Sequence, residues 1–109
     1  MSTTKIIEKV SISRFNRILS KYKGKIVVGP HALDILSTAQ RKVFKQEDLF
    51  KILVGEKTKG VGLQKNGRYA VFFRRKEGFI RLILEVKKKR LEIITFMNTD
   101  TMPNLKGLK

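Results

Sequence analysis

The chain holds one histidine, His31, no cysteine, and 25 lysines and arginines against 9 aspartates and glutamates. That inventory narrows the chemistry at once. Without cysteine there is no disulfide, thiolate metal site or thiol nucleophile. One histidine among scattered carboxylates argues against a zinc centre. Glu47-Asp48 is the sole adjacent acidic pair, so a two-metal nuclease lacks its carboxylate cluster. There is no Gly-x-Ser-x-Gly elbow and no Gly-Lys-Ser/Thr phosphate loop. No metal or other cofactor is expected. What remains is cationic. Lys65, Arg68, Arg74, Arg75, Lys76, Arg81 and the run Lys87, Lys88, Lys89, Arg90 face only Glu77 and Glu85 within the same stretch. Guanidinium and ammonium groups in that density suit phosphate.

The totals point the same way. A formal charge of +16 and a pI near 10.5 call for an acidic partner. Nucleic acid is the first reading, RNA ahead of DNA; an acidic protein, antitoxin-like in its charge, and an anionic membrane surface are the alternatives, with plain solubility as the bland explanation. No apolar run approaches the roughly 18 residues of a membrane span, so no membrane insertion is expected. Met1 to Ser20 interrupts its apolar residues with Glu8, Lys9, Arg14 and Arg17, unlike a signal peptide, and a cytoplasmic location follows by default.

These residues need a scaffold, and 109 residues with 41% hydrophobic content suffice for a single domain, 1–109. We expect an N-terminal helical segment over 1–24, a short strand and two helices over 25–55, an antiparallel sheet over 60–97 and a loose tail over 98–109. Lys5 to Ile12 fits a strand or a helical face equally. Ser13 is placed to cap a helix whose stripe is Phe15, Ile18, Leu19 and Tyr22, with Gly24 as its stop. Gly29-Pro30 suits the start of a helix over His31 to Leu36. A polar connector, Ser37 to Lys45, leads to a helix over Gln46 to Val54 that turns Leu49, Ile52 and Leu53 inward. From Gly60 the period becomes two. Asn66-Gly67 is a strong hairpin signal, and Lys87 to Arg90 makes a second, crowded cationic turn.

Pairing Val86 with Leu91 and Arg74 with Phe79 sorts the strands into two faces. Tyr69, Val71, Phe73, Ile80, Leu82, Leu84, Val86, Leu91, Ile93, Thr95 and Met97 form a core face. Arg68, Phe72, Arg74, Phe79, Arg81, Ile83, Glu85, Glu92, Ile94 and Phe96 form the other. Cations interleaved with rings suit nucleic acid. The same face also reads as an ion ladder of Arg68, Glu85 and Glu92 that merely finishes an exposed sheet.

Pro30-His31-Ala32-Leu33-Asp34-Ile35-Leu36, then Lys45 to Leu49, Gly67 to Val71 and Leu91 to Phe96, resemble a family. These stretches look like the small domains that open with His-Ala-x-x-Arg-(Leu/Met) and are similar to BrnT-type and RelE-type toxins. The resemblance covers roughly Gly29 to Met97. His31 matches the leading histidine, Arg68 the strand arginine and Thr95 the last-strand threonine. Ile35 and Ala39 stand where the family has arginine; Arg41 and Lys42 are the nearest replacements. The resemblance implies helices packed on one side of a twisted antiparallel sheet and, for the toxin members, RNA cleavage without metal.

Such cleavage needs a base for the 2′-OH, cations for the phosphate and an acid for the leaving oxygen. The sole histidine rules out a two-histidine mechanism. His31, Arg68 and Arg81 are the catalytic candidates, with Glu85 or Tyr69 as secondary proton carriers. Arg41, Lys42, Arg74, Arg75, Lys87, Lys88, Lys89 and Arg90 are the candidates for nucleic-acid contact. The expectation is an α+β fold, N-terminal helices on one face of a four-stranded antiparallel sheet, RelE-like, that binds RNA. It either cleaves RNA as a metal-independent endoribonuclease or binds without catalysis.

Overall fold

Six strands, in the order β1-β3-β4-β5-β6-β2, make one sheet, and three helices accompany it in this computed structural model. The residues described are 5–103 and Leu105. The expected four-stranded antiparallel sheet is therefore corrected to a six-stranded mixed one. The expectation left both edges out of the sheet: the short strand expected after Gly24 is one of them, and Lys5 to Ile12, which fitted strand or helix, holds the other. β1 (Ile6–Val10) pairs antiparallel with β3, and the three-residue β2 (Ile26–Val28) pairs parallel with β6. Both are too short to carry a clear period, and their partners lie far along the chain.

Helix α1 (Ile12–Lys21) starts two residues earlier than expected. Its cap is Ser11, not Ser13, and the Ser11 hydroxyl accepts the Arg14 N–H at 3.1 Å. Its stripe goes where the spacing sends it: Phe15 and Tyr22 are buried, and Ile18 and Leu19 pack against them. His31 to Leu36 is not a helix. Successive i→i+3 bonds, Ala32 to Gly29, Asp34 to His31 and Leu36 to Leu33, make it a chain of turns that drops Ala32, Leu33 and Leu36 into the core. The supposed connector holds α2 (Thr38–Val43) instead. Ser37 and Gln40 close a reciprocal capping box at its start, a signal readable as Ser-x-x-Gln. Then α3 (Gln46–Gly55) buries Leu49, Ile52 and Leu53, and Asp48 accepts the Lys45 N–H at 2.7 Å.

Four long strands follow. β3 (Thr58–Gln64) turns into β4 (Tyr69–Arg75) through Asn66-Gly67, with Gly67 at φ +86° and the Asn66 side chain accepting the Arg68 N–H. β5 (Gly78–Val86) and β6 (Leu91–Thr99) complete the sheet. Arg74 pairs with Phe79 and Val86 with Leu91, as expected. Further along β6 the register slips: Leu84 faces Ile93 but Ile83 faces Thr95, leaving Ile94 as an extra residue. From that bulge onward the two faces exchange. Phe96, assigned to the outer face, is 3% exposed in the helix-side core and meets the Phe44 ring at 5.3 Å. Thr95 and Met97 move to the side of Ile83 and Arg81.

The helices cover one face over a core built from Phe15, Leu49, Leu53, Val71, Phe73, Leu82, Leu84 and Ile93. The other face carries a smaller core of Ala70, Phe72 and Ile83, with Ile6, Ile94 and Met102 against it. The tail takes part: a side chain on Gly60 would run into Met102 and Leu105, and Leu105 is buried. Of the expected loose segment, Asn104 and residues 106–109 lie outside the described residues. Among the described residues no helix is long and apolar enough to cross a membrane.

Candidate nucleic-acid interface

Register decides which charges meet. Gln64 ends β3 and Tyr69 begins β4; Val86 ends β5 and Leu91 begins β6, so both turns lie at the same end of the sheet. The edge strands bring their first residues there as well. Lys65 donates its backbone N–H to the Lys5 carbonyl, and Leu91 donates to the Lys25 carbonyl, while the Tyr22 hydroxyl donates to the Lys87 carbonyl at 3.4 Å. The loop Lys23-Gly24-Lys25, with Gly24 at φ +78°, is thereby fastened beside the turn Lys87 to Arg90.

Two carboxylates on the strand ends answer some of this charge. Glu85 receives Arg68 at 2.8 Å and lies 3.9 Å from Lys87. Glu92, with only 13% of its side chain exposed, receives Lys87 at 3.3 Å and Arg90 at 3.4 Å. Partial burial pushes the Glu92 pKa up, but the hydrogen bonds and charges of Lys87 and Arg90 outweigh it and hold the carboxyl below its ordinary value. Lys5, Lys23, Lys25, Lys65, Lys88 and Lys89 are exposed and have no acidic partner among the described residues. The basic end is thus a rim of hydrated ammonium groups above a tier of cations already tied to acids.

The sheet face expected to do the binding is arranged differently. Arg68 and Arg81 do share it, but Phe72 is 0% exposed, beneath the Arg81 guanidinium at 5.3 Å. Arg81 itself is 7% exposed, donates to the Gln64 side-chain oxygen at 2.7 Å, and has its pKa lowered by burial. Arg74 lies over the half-buried Phe79 ring at 5.2 Å. Rings and guanidiniums there are stacked on one another and present no open platform. Arg68 beside Glu85, with Glu85 opposite Glu92, is the ion ladder that was the alternative reading of this face.

The remaining candidates fall elsewhere. His31 is exposed over 83% of its side chain, and its Nδ1 sits 2.9 Å from Asp34 Oδ2. Asp34 also meets Arg41 at 3.6 Å, and Arg41 donates to the Leu36 carbonyl. Lys42 is exposed on α2 beside them. This group belongs to the turns that pack into the helix-side core, whereas Arg68 and Arg81 lie on the opposite face. His31, Arg68 and Arg81 do not converge. Arg74 and Arg75 stand at the far end of the sheet, where Arg75 grips Glu56 through both terminal nitrogens at 2.7 and 3.3 Å.

What the structure brings together is Arg68 with Lys87, Lys88, Lys89 and Arg90. The neighbours missed from the sequence are Lys5, Lys23 and Lys25, and Lys65, already counted in the cationic stretch, joins them. Lys65 adjoins the Asn66-Gly67 turn and was readable from it; Lys23 and Lys25 reach the site only through the parallel pairing of β2 with β6. No family model, curated protein or solved structure matches this chain.

Proposed function

We propose that the protein binds nucleic acid through the phosphate backbone, using the basic end of its sheet, and that it does so without cleaving it. One observation carries the reading: two hairpin turns and the Gly24 loop converge on a rim of exposed lysines, while Glu85 and Glu92 occupy the cations behind it. Lysines held this way are mobile point charges that neutralise phosphates and release counterions without demanding a base sequence. The separation of His31 from the sheet arginines favours binding over catalysis.

The test is a salt series. Binding to RNA or DNA should weaken linearly in log–log form as salt rises. Exchanging Lys25, Lys65, Lys88 and Lys89 for glutamine should flatten the slope by about three to four, at roughly 0.7–0.9 for each phosphate no longer neutralised. An unchanged slope in that variant would remove the basic end from consideration. The catalytic alternative has its own readout. If RNA incubated with the protein in EDTA acquires 2′,3′-cyclic phosphate ends, and His31→Ala stops it, the protein is a nuclease after all.

A further inference from the structure

Beside the Gly24 loop, α3 carries an apolar stripe the core does not use. Leu49, Ile52 and Leu53 point inward, but Phe50 and Val54, one turn apart, are 40% and 50% exposed. They form one wall of a groove of about 370 Å³ whose other walls are Leu19, Ser20, Lys23 and Ile26. Of the seven phenylalanines and two tyrosines, Phe50 is the one with an exposed side chain. It shares the groove with Lys23, a cation of the basic end.

We propose that this groove takes a single unstacked nucleobase from a strand whose phosphates lie along the basic end. The inference rests on the phosphate-binding reading above and adds a second contact of different chemistry. A nucleobase is a flat apolar body attached to an anionic backbone, and the groove offers the matching pair: a phenyl ring among aliphatic side chains, and a lysine in the same lining. Continuity supports the path. Lys87 is bonded to Tyr22, Lys25 to Leu91, and Lys23 precedes Gly24, so the cationic turn and the groove adjoin through the Gly24 loop. Charge also selects the occupant. A second copy would bring another +16 to a groove bordered by lysine, whereas a nucleic-acid strand brings the opposite sign. Stacking on a ring is tolerant of base identity, so RNA and DNA single strands share this chemistry, and a closed duplex does not offer it.

The chain has no tryptophan, so Phe50→Trp installs a single tryptophan at the site, which can be excited apart from the two tyrosines. A 12-residue oligouridylate and its deoxy counterpart should quench that emission on binding, while a 12-base-pair duplex binds without quenching. Phe50→Ala should weaken the oligouridylate roughly tenfold, leave the duplex unaffected, and keep the salt slope, because stacking releases no counterions. Saturation without quenching, equal loss on both ligands, or wild-type affinity in Phe50→Ala would overturn the base site while leaving phosphate binding intact. So would concentration-dependent dimerisation that Phe50→Ala abolishes. If the wild type binds neither oligonucleotide nor duplex, the phosphate-binding reading itself falls, and this one with it.

Discussion

The arginines of the β4–β5 hairpin and the lysines of the sheet end are both positive, yet the fold treats them in opposite ways. Arg68, Arg74, Arg75 and Arg81 each have a partner inside the molecule: Glu85, the Phe79 ring, Glu56, and Gln64 with Phe72. Lys23, Lys25, Lys65, Lys88 and Lys89 have no acidic partner among the described residues. Side-chain physics explains the division. A guanidinium is planar, weakly hydrated and able to stack, so it can be laid down on a ring or forked onto a carboxylate. An ammonium group keeps its water and stays at the surface. A count of basic residues overstates the charge offered to a ligand; what matters is how many the fold has left over.

Removing Arg81 should have the largest effect, and on stability. Arg81→Ala strips the cover from Phe72 and leaves the buried Gln64 oxygen without its donor. A loss of about 2–4 kcal/mol is expected in urea unfolding. Arg81→Met, which keeps the stem over the ring, should recover part of it. Affinity per folded molecule should stay at the wild-type level for both. A stable Arg81→Ala protein with weakened binding would erase the distinction drawn between face and end.

Arg68 and Lys65 sharpen the same contrast three residues apart. Arg68 and Glu85 are each about one-third exposed, so their pair is worth about 0.5–1 kcal/mol at most. Arg68→Gln should lose that amount and keep the salt slope of binding. Lys65→Gln should keep its stability and lose close to one unit of slope. Identical behaviour in the two variants would mean that Arg68 leaves Glu85 for the ligand.

How much of this could be read beforehand depends on the range of each interaction. The Asn66-Gly67 turn, the α1 stripe, the inward residues of α3 and the two hairpin registers are local, and their signals lie within a few residues. The basic turn and Arg68 meet for a similarly local reason, since neighbouring hairpin tips share an end, although the sequence reading grouped Arg68 with Arg81 on a sheet face instead. The parallel pairing of β2 with β6 is non-local and brings in Lys23 and Lys25 with no local mark. The bulge at Ile94 is silent too: Ile93-Ile94 reads equally as alternation or slip, and one residue there exchanged Phe96 for Thr95 and Met97. Phe50 and Val54 were visible as a second i, i+4 pair on α3, but a helix with one inward stripe gives no reason to look for another.

The smallest expected effect concerns Glu92, where tied and untied cations meet. Its carboxyl is held below the ordinary value of 4.5 by Lys87 and Arg90 despite its partial burial. A carboxyl with a depressed folded pKa contributes stability that is present above the unfolded value and lost as pH falls through the folded one. Glu92→Gln should therefore be less stable than the wild type at neutral pH, by no more than about 1 kcal/mol, and the gap should close as pH falls through the depressed carboxyl value. Binding should move the other way. Once Glu92 is neutral, Arg90 joins the rim and Lys87 keeps only its longer 3.9 Å contact with Glu85, so Glu92→Gln at pH 7 should bind nucleic acid more tightly and with a steeper salt slope than the wild type. Stability and affinity trade against each other at this one carboxylate because the same two cations cannot be both tied and offered. A Glu92→Gln protein that loses stability yet gains no affinity would show that Lys87 and Arg90 serve the turn alone, and would confine the binding rim to the lysines around it.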